Sequence, residues 1–155
     1  TAVPESFEKP QEYHDVNVIG TKNIFEIAKK ENIRVVYASS SSIYGNVKNI
    51  PIIEKADRKP INPYGQTKLE DEFLAEEFSK NNLSVIGLRY FNVYGIGQTG
   101  SYAGVITNSL KILKIKNHLQ LMEMEIKLGT LYMSMILQKQ ILLQWKAKSK
   151  TDFLI

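Results

Sequence analysis

The sequence predicts an α/β fold built on a parallel sheet, and three observations carry that expectation. Residues 34–38 form a short β-branched and aromatic run that suits a buried strand. It leads directly into four serines, Ser39 to Ser42, and a Tyr44-Gly45 turn. Residues 84–89 form a second run of the same kind. Two longer segments with helical spacing, 11–32 and 63–80, precede and separate these runs. Helices alternating with strands assemble into an open sheet, and ligands of such sheets bind outside the carboxyl ends of the strands. The serine hydroxyls fall at that edge.

Taken in order, residues 11–32 read as one helix, with Val16, Ile19, Asn23, Ile24, Ile27 and Ala28 as its apolar stripe and Lys29, Lys30 and Glu31 on the wet side. Gly20 in its middle costs about 1 kcal/mol relative to alanine. Either a core glycine packs against the sheet there or something approaches the backbone. Residues 45–60, rich in Asn, Lys and Pro, read as a loop at the rim of a site. Asn62-Pro63 is a helix start, because proline at the first helical position loses no hydrogen bond. The helix then runs to about residue 80 with Leu69, Phe73, Leu74 and Phe78 buried, and with Glu70, Asp71, Glu72, Glu76 and Glu77 as its solvated face. The strand over 84–89 ends in Tyr90-Phe91-Asn92, where an amide at the carboxyl edge of a sheet has no packing reason to be present.

Tyr64 and Lys68 lie at i and i+4, on one face of the second helix. A tyrosine ordinarily titrates near pH ~10 and is a poor base at neutrality. A lysine cation one turn away favours the phenolate. Ser40, Tyr64 and Lys68 therefore form a chemically complete set: Ser40 orients a substrate hydroxyl, Tyr64 moves its proton and Lys68 tunes Tyr64. Y-x-x-x-K alone is a weak signal. Downstream of a strand that ends in Ser-x-x-x-Tyr-Gly it is a strong one.

Composition bounds the alternatives. There are no cysteines, hence no disulfide framework and no thiol chemistry, and no metal ligands stand out. No apolar run is long enough to span a membrane and Thr1 to Glu5 hold no signal core, so a cytoplasmic protein is expected. The net charge of +4 does not imply nucleic acid as a partner. Residues 1–108 carry twelve basic against thirteen acidic side chains, whereas residues 109–155 carry eight against three.

Five segments together resemble the extended short-chain dehydrogenase/reductases, in particular the NAD-dependent nucleotide-sugar epimerase/dehydratase group and most closely its UDP-glucose 4-epimerases. They are Ala2-Val3-Pro4-Glu5-Ser6, Asn17-Val18-Ile19-Gly20-Thr21, residues 37–45, residues 63–68 and residues 88–95, in family order and spacing. The resemblance covers about residues 1–108 and implies part of a Rossmann-type doubly wound sheet whose first βαβ units precede Thr1. It implies NAD as cofactor, a UDP-hexose as substrate and a homodimer. The reaction it implies is oxidation to a 4-keto sugar and re-reduction on the other face. By the same resemblance Val16, Tyr64, Lys68 and Phe91 touch the cofactor, and Ser40 and Asn92 hold the sugar nucleotide. Dehydratase relatives need an acid–base pair beside the serine. Here those places are Ser41 and Ser42, which favours an epimerase over a dehydratase or decarboxylase.

One fingerprint is a decoy. Residues 95–100 spell G-x-G-x-x-G, but the acidic residue expected ~20 positions on is missing and the segment aligns with a substrate-side loop. The family's own glycine fingerprint lies upstream of Thr1, so the helix N-terminus that would hold a pyrophosphate is not in this sequence. Residues 1–155 alone are accordingly expected to bind NAD negligibly in calorimetry, and micromolar affinity would overturn this.

The tail breaks with what precedes it. All four methionines and the only tryptophan lie beyond residue 109, while proline and arginine vanish. Starting each codon one nucleotide earlier turns His118 to Gln140 into a run that resembles the family's continuation. Methionine always ends in G, so Met122-Glu123 and Met124-Glu125 both become glycine. This suggests a single-nucleotide frameshift between Ala103 and Asn117 and an aberrant tail over 109–155, irregular or loosely helical, in place of the substrate-binding region. Resequencing the encoding DNA tests it. Two readings stand: an enzyme segment that is active once the rest of its fold is supplied, and a non-catalytic truncated remnant.

Overall fold

The computed structural model describes residues 3–94, 131–133, 141–143, 146 and 151–154. Helices α1 (Val3–Glu8) and α2 (Pro10–His14) lead through a π turn at Asp15–Ile19 into α3 (Gly20–Lys30). Strand β1 (Val35–Ser40), a 3-10 turn at Ser41–Tyr44, helix α4 (Pro63–Lys80) and strand β2 (Val85–Tyr90) follow. Three short strands complete the described chain: β3 (Asn92–Tyr94), β4 (Leu131–Met133) and β5 (Thr151–Leu154).

The main sheet has the order β1-β2-β5 and is parallel throughout, while β3 and β4 form a separate parallel pair. Parallel neighbours need a crossover, and α4 supplies the one between β1 and β2. The register pairs Val35 with Val85 and Ser40 with Tyr90. Both strands therefore reach their carboxyl ends together. The predicted α/β class with a parallel sheet is the one observed.

Two capping features end the helices where they end. Asn32 and Asn82 adopt left-handed φ values of 53° and 71°, which asparagine tolerates better than most residues. The next amide reaches back across the turn, Ile33 N–H to Ala28 C=O at 2.8 Å and Leu83 N–H to Phe78 C=O at 3.0 Å. The chain is thereby turned into β1 and β2 respectively. Between these helices and the sheet, Phe25, Ala28, Ala75, Leu83 and Val85 form the main core. Phe25 meets Tyr37 and Phe78 edge-on, both at 5.6 Å between ring centres.

The helix expected over 11–32 exists, yet its buried face is not the expected one. Val16, Ile19, Ile24 and Ile27 are exposed and Asn23 with them; only Ala28 of the proposed stripe is buried. Tyr13, Val18, Phe25 and Ala28 face inward instead. The π turn inserts one extra residue and changes the phase of the apolar pattern, so a single helical count across it selects the wrong side. Val16, Asn23 and Ile24 line an open groove of about 610 Å³ beside β1. Strand β1 itself is half-buried over Val35 to Tyr37, with Ala38 exposed, and among the described residues it pairs with β2 alone.

A second correction concerns α4. Leu69 is buried, and Leu74 and Phe78 are half-buried as expected, but Phe73 is 49% exposed, with the Arg58 guanidinium stacked 5.0 Å from its ring. Asp71 and Glu72, assigned to the solvated face, are completely buried. Glu72 finds its partners elsewhere in the chain, whereas Asp71 pairs with Lys68 of α4 itself.

Most of the tail lies outside the described residues, as do the G-x-G-x-x-G segment and the interval assigned to a frameshift. The expectation of an irregular or loosely helical tail is met at the described positions by helix at 141–143 and 146 only. Leu131–Met133 and Thr151–Leu154 depart from it as strands. The physical reason lies in β2, which is fully buried from Val85 to Arg89 and whose second edge must find backbone partners. β5, containing Thr and Phe, supplies them.

Candidate active site

The carboxyl ends of β1 and β2, the turn after β1 and the first turn of α4 meet at one place. Asn62 caps α4, its Oδ1 accepting the Gly65 N–H at 2.7 Å, and Pro63 occupies the first helical position. Gly65 allows the close approach: a Cβ there would lie 2.7 Å from the Ser42 carbonyl oxygen and 3.1 Å from Pro60. The serine turn is thus pressed against the residue that follows Tyr64. From the other side the buried Ser6 hydroxyl accepts the Tyr64 N–H at 3.2 Å and donates to the Val3 carbonyl at 2.6 Å. This ties α1 to the start of α4.

Ser40 is buried at the end of β1 and accepts the Ser42 N–H at 3.2 Å, which leaves its own hydroxyl hydrogen for another acceptor. Tyr64 stands half-buried in the first turn of α4, and Lys68 one turn on donates to Asp71 Oδ2 at 3.0 Å. Ser40 thus opens the serine turn that abuts Gly65, and Tyr64 and Lys68 lie on either side of that glycine on α4. Phe91 and Asn92 follow β2 at the same edge of the sheet, Phe91 half-buried and Asn92 exposed as the first residue of β3. Val16, 68% exposed, stands apart from them in the groove beside β1, with Gly20, Thr21 and Asn23.

Gly20 does not pack against the sheet. A Cβ at this position would find only the Asp15 carbonyl, 4.0 Å away, so the core-glycine alternative is set aside and the position opens to the groove. Gly20→Ala is accordingly expected to raise stability by about 0.5–1 kcal/mol in a thermal or urea melt. A loss of stability would show that a neighbour closes on this site. Just before it, within the π turn, Asn17 Nδ2 donates to Thr67 Oγ1 at 2.9 Å and joins this segment to α4 one residue before Lys68.

Beneath the site runs a buried ionic network that sequence reasoning missed. Arg89, at the end of β2, grips Glu72 with both arms, Nε to Oε1 and Nη2 to Oε2, each at 2.8 Å. Ser39 donates to Glu72 Oε1 at 2.6 Å. Arg58 from the loop bridges Glu72 at 3.1 Å and Glu76 at 2.8 Å. The first Nη of Arg89 reaches the Tyr44 hydroxyl at 2.7 Å and the Glu54 carbonyl at 2.6 Å. Burial raises the Tyr44 phenol above its ordinary range, although the hydrogen bond from Arg89 opposes the shift. Two carboxylates and two guanidinium groups balance, and together they lock β1, the serine turn, the 46–60 loop, α4 and β2 into one frame. The available signal was Arg89 itself, a charge at the end of an otherwise apolar strand, which requires a buried partner.

Comparison with known proteins agrees with this architecture. The model of the NAD dependent epimerase/dehydratase family matches residues 1–130, and the chain belongs to that family. A bifunctional UDP-glucose 4-epimerase and UDP-xylose 4-epimerase of Pisum sativum is 39% identical over 102 residues, which are 64% of this chain and 29% of that protein. The solved structure of MoeE5 in complex with UDP-glucose and NAD superposes with a TM-score of 0.80 at 28% identity, covering 99% of this chain and 52% of MoeE5. A UDP-glucose 4-epimerase from Thermotoga maritima, solved with UDP-glucose, gives 0.68 at 32% identity over 72% of this chain and 38% of the other. The chain thus spans about a third of the length of the curated relatives it matches.

Proposed function

We propose that these residues form the acid–base side of a nucleotide-sugar 4-epimerase acting on a UDP-hexose. One observation supports the reading: Gly65, the residue after Tyr64, lets the serine turn that follows Ser40 sit directly against α4. Ser40 donates the hydrogen of its hydroxyl to the sugar 4-oxygen and so orients it. Tyr64 takes the proton of the 4-hydroxyl and later returns it. Lys68, one helical turn away, stabilises the phenolate that Tyr64 needs for this. Phe91 and Asn92, at the same sheet edge, line the reacting end and hold the sugar nucleotide. NAD, when bound, supplies the hydride acceptor and donor for C4. Val16 and the unobstructed backbone at Gly20 line the groove that fits its approach, and Lys68 offers it a donor.

The dehydratase alternative is disfavoured by composition at the serine turn. Eliminating water needs an acid and a base next to Ser40, and the half-buried Ser41 and Ser42 cannot serve as either at neutral pH. We further propose the domain division at about residue 108, a homodimer and a cytoplasmic setting. Among the described residues no helix is long and apolar enough to cross a membrane. The test is an assay of the full reading frame that carries these residues, with UDP-galactose and NAD, read by proton NMR at the anomeric position. Interconversion with UDP-glucose is expected. A 4-keto-6-deoxy product would replace this reading with the dehydratase one.

A further inference from the structure

Tyr64, Lys68 and Asp71 stand at i, i+4 and i+7 on α4, one stripe along the helix. The Lys68 side chain is only 15% exposed and the Asp71 side chain not at all, and their Nζ–Oδ2 separation is 3.0 Å. This differs from the pairs that decorate helix surfaces, such as Lys22 with Glu26, both about half exposed. The charged and titratable groups around the carboxylate are Lys68 and Glu70 on α4 and Tyr37 on β1, with the Thr21 hydroxyl reaching it from α3.

We infer that Asp71 is a positioning residue for the Tyr64–Lys68 pair: its buried carboxylate anchors the Lys68 ammonium on the α4 face and offsets part of the charge that Tyr64 experiences. The inference deepens the acid–base assignment above and rests on it. Its energetic setting separates it from an ordinary structural pair. Burial raises the Asp71 carboxyl above the usual carboxylate range, and Lys68 only partly reverses this. A carboxyl that titrates higher in the folded than in the unfolded chain favours the folded state as pH falls through its folded midpoint. At neutral pH its charge therefore costs stability. A residue kept for packing alone would not be charged at this position.

The experiment is an NMR titration of the 155-residue chain labelled with carbon-13 at the Asp Cγ, Lys Cε and Tyr Cζ positions. In the wild type, the Lys68 and Tyr64 resonances are expected to step at the pH where Asp71 Cγ titrates. Asp71→Asn keeps the shape and one acceptor oxygen, and it is expected to abolish that step without lowering the melting temperature at pH 7. Lys68 and Tyr64 resonances that ignore the ionisation of Asp71 would overturn the inference, and the wild-type titration decides this even if the variant fails to fold. Because no turnover is measured here, a coupled step together with an inactive full reading frame would sink the proposed function and leave Asp71's role standing. Turnover without the step would do the reverse.

Discussion

Glu72→Ala is expected to destabilise the protein by about 3–5 kcal/mol, because it leaves Arg89 buried without its counter-charge. Arg89 is 3% exposed and gives both its Nε and one Nη to Glu72. The same substitution removes the acceptor of the Ser39 hydroxyl and one of the two carboxylates that hold Arg58. Whole domains are stable by only ~5–15 kcal/mol, so this loss is a large share of the total. Urea melts of the variant and the wild type measure it. Glu76→Ala is the control: its carboxylate is 37% exposed and bonds only Arg58 in the network, so a loss below about 1 kcal/mol is expected. Equal losses for the two would mean that the buried clamp contributes no more than an exposed pair. The double substitution of Glu72 and Arg89 by apolar residues of similar volume should recover part of the loss, because neither charge is then stranded.

Tyr64→Phe is expected to lower UDP-galactose turnover by about 10²–10⁴-fold, the usual contribution of a positioned acid–base group. The fold should remain intact. The contact that Tyr64 gives the frame is made by its backbone N–H to Ser6, which phenylalanine keeps. The change should fall on kcat with little effect on KM, because the hydroxyl acts on a proton in flight and contributes little to ground-state binding. Both constants come from the coupled assay in the full reading frame, alongside a melting curve. A variant with unchanged kcat would remove Tyr64 from the chemistry. A variant that fails through instability would show instead that the phenol is a structural element.

Much of the architecture could be read directly. The strand over 84–89 and the cap at Asn62-Pro63 are legible because their causes are local: β-branched runs, a side chain that caps its own helix and a proline placed where no amide hydrogen is needed. The candidate set of Ser40, Tyr64 and Lys68 is legible for a related reason. Two of the three lie one helical turn apart, and the third ends a strand, so periodicity alone predicts where each will point.

What escaped sequence reasoning depended on partners distant in the chain. Glu72 looks like the wet side of a helix until Arg89, seventeen residues away, and Arg58 from the loop come to meet it, while Asp71 beside it is buried against Lys68 of its own helix. The stripe of Val16, Ile19, Ile24 and Ile27 looks buried until the π turn shifts the phase, and Val16 and Ile24 then line an open groove beside β1. The pairing of β5 with β2 depended on which edge of the sheet stood open. The sequence by itself determined the local elements and which residues are candidates for the acid–base set, since both follow from short-range periodicity and side-chain chemistry. Only the tertiary structure decided which polar residues are buried, because that depends on which charges the fold brings together to offset the cost of leaving water.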